Sequence, residues 1–395
     1  MGRRRIIFFG MIVLTVLLGV LARSSTVFCD FYTRNIYPIW ENTYGRFSNL
    51  FPFSFGGCMI VAGIVMVFLA LILPFFLIFK RFRKPIKKYY IFFVWTLNIL
   101  VLVLMLNSAI SYHASTFAET NFKDTSDEYS LEYMVSVRND VAEKCNAFSK
   151  EMVRDENGEI LYGSVAQNYQ ATGELPKNAR YLMDLEIEKK VVESMKHLGE
   201  TYPQLSGFYP SPKRLFFSDI VSQEYVSGKF FPFSMEANYN TVMYIMNKPF
   251  TMCHELSHFK GYRYEDEANF IGFMACVESD DPVFQYSGYL SVLYYLDKDI
   301  SAAKKSSPGE YSRVTTEHPL VKISKQVRAD DVYLTDAEWE RINGKAIVKT
   351  ETIQAVSEKV IDANLKMNGV EDGAISYSQM VELVLRYYEY KGWKS

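Results

Sequence analysis

The sequence predicts an α+β protein, mainly helical, in which three N-terminal transmembrane helices precede a separate extracytoplasmic domain. Three observations carry this. The first 112 residues hold three uncharged apolar runs, charge divides sharply where they end, and amphipathic helical patterning dominates the rest of the chain. Up to Tyr112 the chain has twelve Lys or Arg and only Asp30 and Glu41 as acids, which leaves 31 basic and 43 acidic residues for the remainder. An acidic second part lacks the clustered Lys and Arg that neutralising phosphates requires, so nucleic acid is not expected as a partner.

The apolar runs are Ile6–Ala22, Gly57–Phe79 and Tyr89–Tyr112. Each is long enough, or nearly so, to cross a hydrocarbon core of roughly 30 Å as a helix. The first is the shortest, but "LARSST" has no small-x-small cleavage pattern, so it reads as an uncleaved span and not as a signal peptide. Arg3–Arg5 and the loop "KRFRKPIKK" (Lys80–Lys88), with six basic residues of nine, should stay cytoplasmic. The loop from Arg23 to Ser54 should lie outside, its aromatics anchored at headgroup level. Everything after Tyr112 is then extracytoplasmic: residues 1–112 anchor in the lipid bilayer and residues 113–395 form the domain. The spans contain only Asn98 and Asn107 as notable polar groups, which argues against transport or proton relay. Cys29, Cys58, Cys145, Cys253 and Cys276 are widely spaced without a CxxC pair and read as small hydrophobes.

Beyond the spans, residues 113–128 read as a polar linker. Ser130–Met152 and Asn178–Tyr202 have helical periodicity, the latter ended by Pro203, and Asp155–Gly158 is a turn. "KRLFFS" (Lys213–Ser218) and "TVMYIM" (Thr241–Met246) look like strands. The second is either an exposed edge able to hold an extended peptide or an ordinary buried strand. Helical patterning resumes from Phe250 to Cys276, over Asp281–Leu296 and through the tail from Asp336.

The chemistry lies in "CHELSHFKGYRYEDEANF", residues 253–270. His254-Glu255-Leu256-Ser257-His258 is an HExxH: on a helix, residues four apart share a face, so both imidazoles can reach one metal ion. Zinc (Zn2+) lowers the pKa of a coordinated water towards neutrality, and Glu255 is placed to take and relay its proton. Catalytic zinc needs a third protein ligand. Gly261 allows a left-handed helix end, and Glu265 or Glu267 lies in the next helix. Glu265 is preferred because its face carries Ala268, Asn269, Gly272 and Ala275, small enough for close helix approach. Asn269 could hydrogen-bond a ligating histidine. The bland account is an acidic first turn favoured by the helix dipole. His318, Tyr286 and Tyr289 are candidates to stabilise an oxyanion. The flanks are too polar for an intramembrane site.

At these residues the chain resembles the zincin metallopeptidases of gluzincin type, with two His and a downstream Glu. The E-x-x-A-N spelling of Glu265–Asn269 resembles their third-ligand helix, although they usually have Asp at the position of Asn269. Tyr264 stands where the metzincin HExxHxxGxxH pattern has its third His, which favours a Glu ligand. Over most of its length the chain is similar to an uncharacterised family of bacterial three-span membrane proteins. The marks are "PFSFGG", "FPFSMEANYN", the HExxH stretch, "DPVFQYSGYL" and "LKMNGVEDGAISYSQMVELVL". That resemblance implies a zincin-like domain and a metal-dependent peptidase of unknown substrate. The expectation is a membrane-anchored zinc metallopeptidase: metal ligands His254, His258 and Glu265, catalytic Glu255, and a peptide or protein substrate. The alternatives are a metal-stapled receptor or scaffold without catalysis, and a zinc amidase acting on the cell envelope.

Overall fold

The apolar runs near the N-terminus fold as helices because a continuous apolar surface has no sheet partner there and a helix satisfies its own backbone. They are α1 (Arg3–Ser24), α2 (Phe55–Ile72) and α3 (Arg83–Leu104). A 3-10 turn at Leu73–Ile78, entered through Pro74, extends α2, and a wider turn at Met105–Ala109 extends α3. With these extensions, Arg3–Ser24, Phe55–Ile78 and Lys80–His113 are each long and apolar enough to cross a membrane. The chain is a multi-pass membrane protein. The computed structural model describes residues 2–126, 128–345 and 379–393.

The chain divides into two units. The first is Met1–Ser115 together with Phe230–Glu236. The polar groups of its spans find backbone partners, as hydrocarbon surroundings require: the Asn98 amide donates to the Phe8 carbonyl at 3.1 Å and Asn107 to that of Pro232 at 2.8 Å. Ser54 caps α2 by accepting from the Gly57 N–H at 2.9 Å. The buried Glu236 carboxylate accepts from the Phe55 and Gly56 N–H groups at 3.0 and 2.6 Å, a negative charge on a helix N-terminus. The stretch read as an external loop, Arg23–Ser54, is instead helical through most of Thr26–Asn49. Its aromatics are not only interfacial: Tyr32 and Tyr37 are buried, and the Tyr32 hydroxyl donates to the Leu106 carbonyl while accepting from the Trp40 indole, both at 3.0 Å.

The second unit is Thr116–Lys229 with Ala237–Ser395. Residues 113–128 are more than a linker: Thr116 and Glu119 form a capping box on the short helix Phe117–Asn121, and Phe117 and Phe122 are buried against Tyr202 and Phe270. α4 (Leu131–Glu151) and α5 (Ala179–Thr201) keep closely to their predicted bounds. The strands do not. "KRLFFS" contributes only β1 (Lys213–Arg214), and "TVMYIM" is no strand; it is a buried turn leading into a 3-10 turn at Ile245–Asn247. The strands β2 (Gly228–Phe231) and β3 (Glu236–Tyr239) complete a sheet of order β1-β3-β2. β1 and β3 run parallel, with Lys213 opposite Asn238.

α6 (Lys248–Phe259), α7 (Glu265–Val277) and α8 (Pro282–Ser306) come next, the last of them running ten residues past its expected end at Leu296. The tail is helical over Asp336–Lys345 and in α9 (Gln379–Tyr390); residues 346–378 of the predicted helical tail lie outside the described residues. Lys248, at the start of α6, is buried and paired with Asp184 at 2.5 Å. A cation at a helix N-terminus is unfavourable, and burial lowers its proton affinity; Asp184 offsets this only in part.

Candidate metal centre

The HExxH stretch forms a helix because Pro249 is acceptable in its first turn and apolar residues line the buried side: Met252, Cys253, Leu256 and Phe259 are all fully buried. The helix stops at a glycine. Gly261 has φ of +97°, and its N–H bonds the His258 carbonyl at 3.0 Å, a left-handed end that a side chain would strain. The chain then turns back into α7. A Cβ on Gly272 would lie only 3.1 Å from the His254 nitrogen, so this glycine sets how closely α7 lies against α6.

Those two features bring Glu265 to the histidines. Its Oε2 is 3.3 Å from His254 Nε2 and its Oε1 3.7 Å from His258 Nε2. The imidazole centroids are 4.6 Å apart with the rings nearly perpendicular. His254, Glu255 and His258 present possible ligand atoms within 4.8 Å of one another. Glu267, the other candidate ligand, is engaged elsewhere. Its carboxylate accepts the buried backbone N–H of Phe117, and burial pushes it up to about 8 despite that bond.

The candidate ligands have neighbours that orient them. His258 Nδ1 meets the Tyr262 carbonyl at 2.7 Å, which turns Nε2 towards Glu265, and Arg263 donates to the His258 carbonyl at 2.6 Å. Asn269 stands beside the His254 ring, as its spacing from Glu265 suggested, although among the described residues no hydrogen bond reaches His254 Nδ1. Glu255 is 4% exposed, and its Oε2 has no hydrogen-bond partner among the described residues. Glu265 is the open side of the cluster, with its side chain 35% exposed.

Burial works against charge here, and the neighbours decide the outcome. It pulls the His254 imidazole down, but the Glu265 carboxylate outweighs it and the net shift is upward. It pushes Glu265 up, yet His258 and His254 hold that carboxyl well below its ordinary range. For Glu255 burial wins, and the two histidines only partly offset the rise. Two imidazole nitrogens and a carboxylate around one point, with buried polar atoms left without partners, are a donor set that fits zinc.

None of the oxyanion candidates joins this cluster. The Tyr286 hydroxyl donates to Asp330 at 2.7 Å, Tyr289 stacks on Phe148 beneath the Lys144 ammonium, and the exposed His318 pairs with Glu132. One neighbour was not foreseen. Gly228, in β2, lies so close that a Cβ there would come within 2.5 Å of Glu255 Oε1. Nothing in "GKFF" signals such a contact.

No curated protein and no solved structure matches the chain. The sequence profile of one family, "Protein of unknown function (DUF3810)", matches residues 32–385, the greater part of both units, and the chain belongs to that family.

Proposed function

We propose that the chain is a membrane-anchored zinc metallopeptidase of zincin type, its second unit lying outside the cytoplasmic membrane. The observation that carries this reading is the convergence of Glu265 on the two histidines of the HExxH, with Glu255 beside them. His254, His258 and Glu265 would hold zinc. Bound there, zinc supplies Lewis acidity towards a scissile carbonyl and acidifies water. The chain's own residues do the rest. Glu255 accepts the proton of the attacking water and returns it to the leaving amine. By engaging His258 Nδ1, the Tyr262 carbonyl leaves Nε2 as the nitrogen that would meet the metal. Burial of Glu255 and His258 removes competing water from the reacting atoms.

Metal analysis of the full chain purified in detergent, beside Glu265→Ala and Glu255→Gln, tests the reading. About one zinc per chain is expected, lost in Glu265→Ala and kept in Glu255→Gln. With a peptide the wild type cleaves, Glu255→Gln should lower turnover by roughly 10²–10⁴-fold. A folded chain that takes up no zinc, or undiminished hydrolysis by Glu255→Gln, would sink the proposal. Metal retention with no hydrolysis of any screened peptide or envelope amide would favour the scaffold.

A further inference from the structure

We propose that Gly228 is a positioning residue for the general base: the bare backbone of β2 holds Glu255 in the conformation that faces the two histidines. The catalytic part of this inference rests on the peptidase reading; the structural part does not.

A buried carboxylate is ordinarily oriented by hydrogen bonds, because each unmet lone pair costs free energy. Glu255 is buried, yet its Oε2 has no such partner among the described residues. What confines it is contact. A Cβ built on Gly228 would lie 2.5 Å from Glu255 Oε1, 2.7 Å from its Cγ and 2.8 Å from Thr251 Cγ2. Thr251 and Glu255 are four residues apart on α6, so the strand backbone fits into the groove between two neighbouring side chains on one helix face.

Glycine inside a strand ordinarily weakens it, by entropy and by lost packing. The usual excuse for one, a left-handed φ, does not apply, since Gly228 is not among the residues with positive φ. The contact with α6 is the remaining reason for glycine. Of the two side chains in the way, Thr251 is β-branched and stiff, whereas the end of Glu255 is flexible. A methyl group at position 228 would therefore be accommodated by swinging Glu255 away from the histidines. Sequence patterning cannot reveal this role, because it depends on which helix β2 lies against.

A double-mutant cycle in the full chain tests the inference: wild type, Gly228→Ala, Glu255→Ala and the double variant, all followed by thermal unfolding in detergent. Gly228→Ala should lower the Tm of the wild type, and most of that drop should vanish in the Glu255→Ala background, where space has been made. The same Tm drop in both backgrounds overturns the contact. Should Gly228→Ala fail to fold, recovery of folding in the double variant supports the inference, and failure to recover it counts against.

The catalytic part is read separately. Gly228→Ala should keep its zinc and its KM while kcat falls by roughly 10²-fold, the order expected when a reacting group is misplaced by about 1 Å. An unchanged kcat, or metal lost in proportion to activity, overturns the positioning role. If the wild type neither binds zinc nor cleaves peptides, the peptidase reading fails on its own experiment, while the stability cycle still decides whether Gly228 confines Glu255.

Discussion

His258 is a candidate ligand whose neighbours fix its direction. Its Nδ1 is engaged by a backbone carbonyl four residues on, so the tautomer and the ring direction are set by the turn that ends α6. Glu265 and Glu267, two residues apart, have been given opposite work by the first turn of α7: one faces two imidazoles, the other holds a backbone N–H in an aromatic pocket. Replacing Glu267 with Ala leaves the Phe117 N–H buried without its acceptor. Thermal unfolding should register a loss of about 1–3 kcal/mol with zinc content unchanged. If Glu267→Ala lost its metal as Glu265→Ala does, the division of labour between them would be wrong. Helical spacing favoured Glu265 through the small residues on its face, but the partner of Glu267 was not legible, because it depends on where Phe117 packs.

At the level of elements, the site is a pair of helices held close by small residues. Gly272 lies against the backbone of His254, and a larger residue there would push away the helix that carries Glu265. Gly272→Leu is expected to cost about 1–3 kcal/mol of stability by overpacking, and to weaken zinc binding more than His254-remote substitutions of equal cost. Titration of zinc into metal-stripped protein, beside a melting curve, separates those two effects. The small-residue face of α7 was legible in the sequence, as were α4, α5 and α6, because apolar spacing at helical period survives without tertiary knowledge. The sheet was not. "EANY" places Glu236 and Asn238 fully inside, where Glu236 accepts two backbone N–H groups and the Asn238 amide donates to the Lys229 carbonyl, so no apolar alternation marks the strand. "TVMYIM" misleads for the converse reason: a short buried apolar run need not be a strand, and here it is a turn.

For the whole molecule, hydropathy located the first two long helices within a few residues and the end of the third, which starts at Lys80 and not at Tyr89 because its basic first turns are helical too. It could not show that Arg23–Ser54 would be helical, because that segment's aromatics serve packing as well as any interface. The charge pattern makes a further prediction about placement: Lys80–Lys88, expected as a loop, is a 3-10 turn followed by the start of α3, and its six basic residues should keep that end cytoplasmic and the second unit outside. With Cys58, the one exposed thiol, replaced by Ser, a cysteine introduced at Lys304 should react with a membrane-impermeant maleimide in intact cells, and one at Lys84 should not. The reverse labelling would put the candidate metal site in the cytoplasm.

The segment Phe230–Glu236 belongs to the first unit although it is synthesised long after Ser115. While the chain is being made, α2 enters the membrane before the carboxylate that will receive the Phe55 and Gly56 N–H groups exists. Pro232 likewise arrives late for Asn107. The membrane part is thus left unfinished until much of the second unit has emerged, and its maturation is timed by the growth of that unit and not by insertion alone.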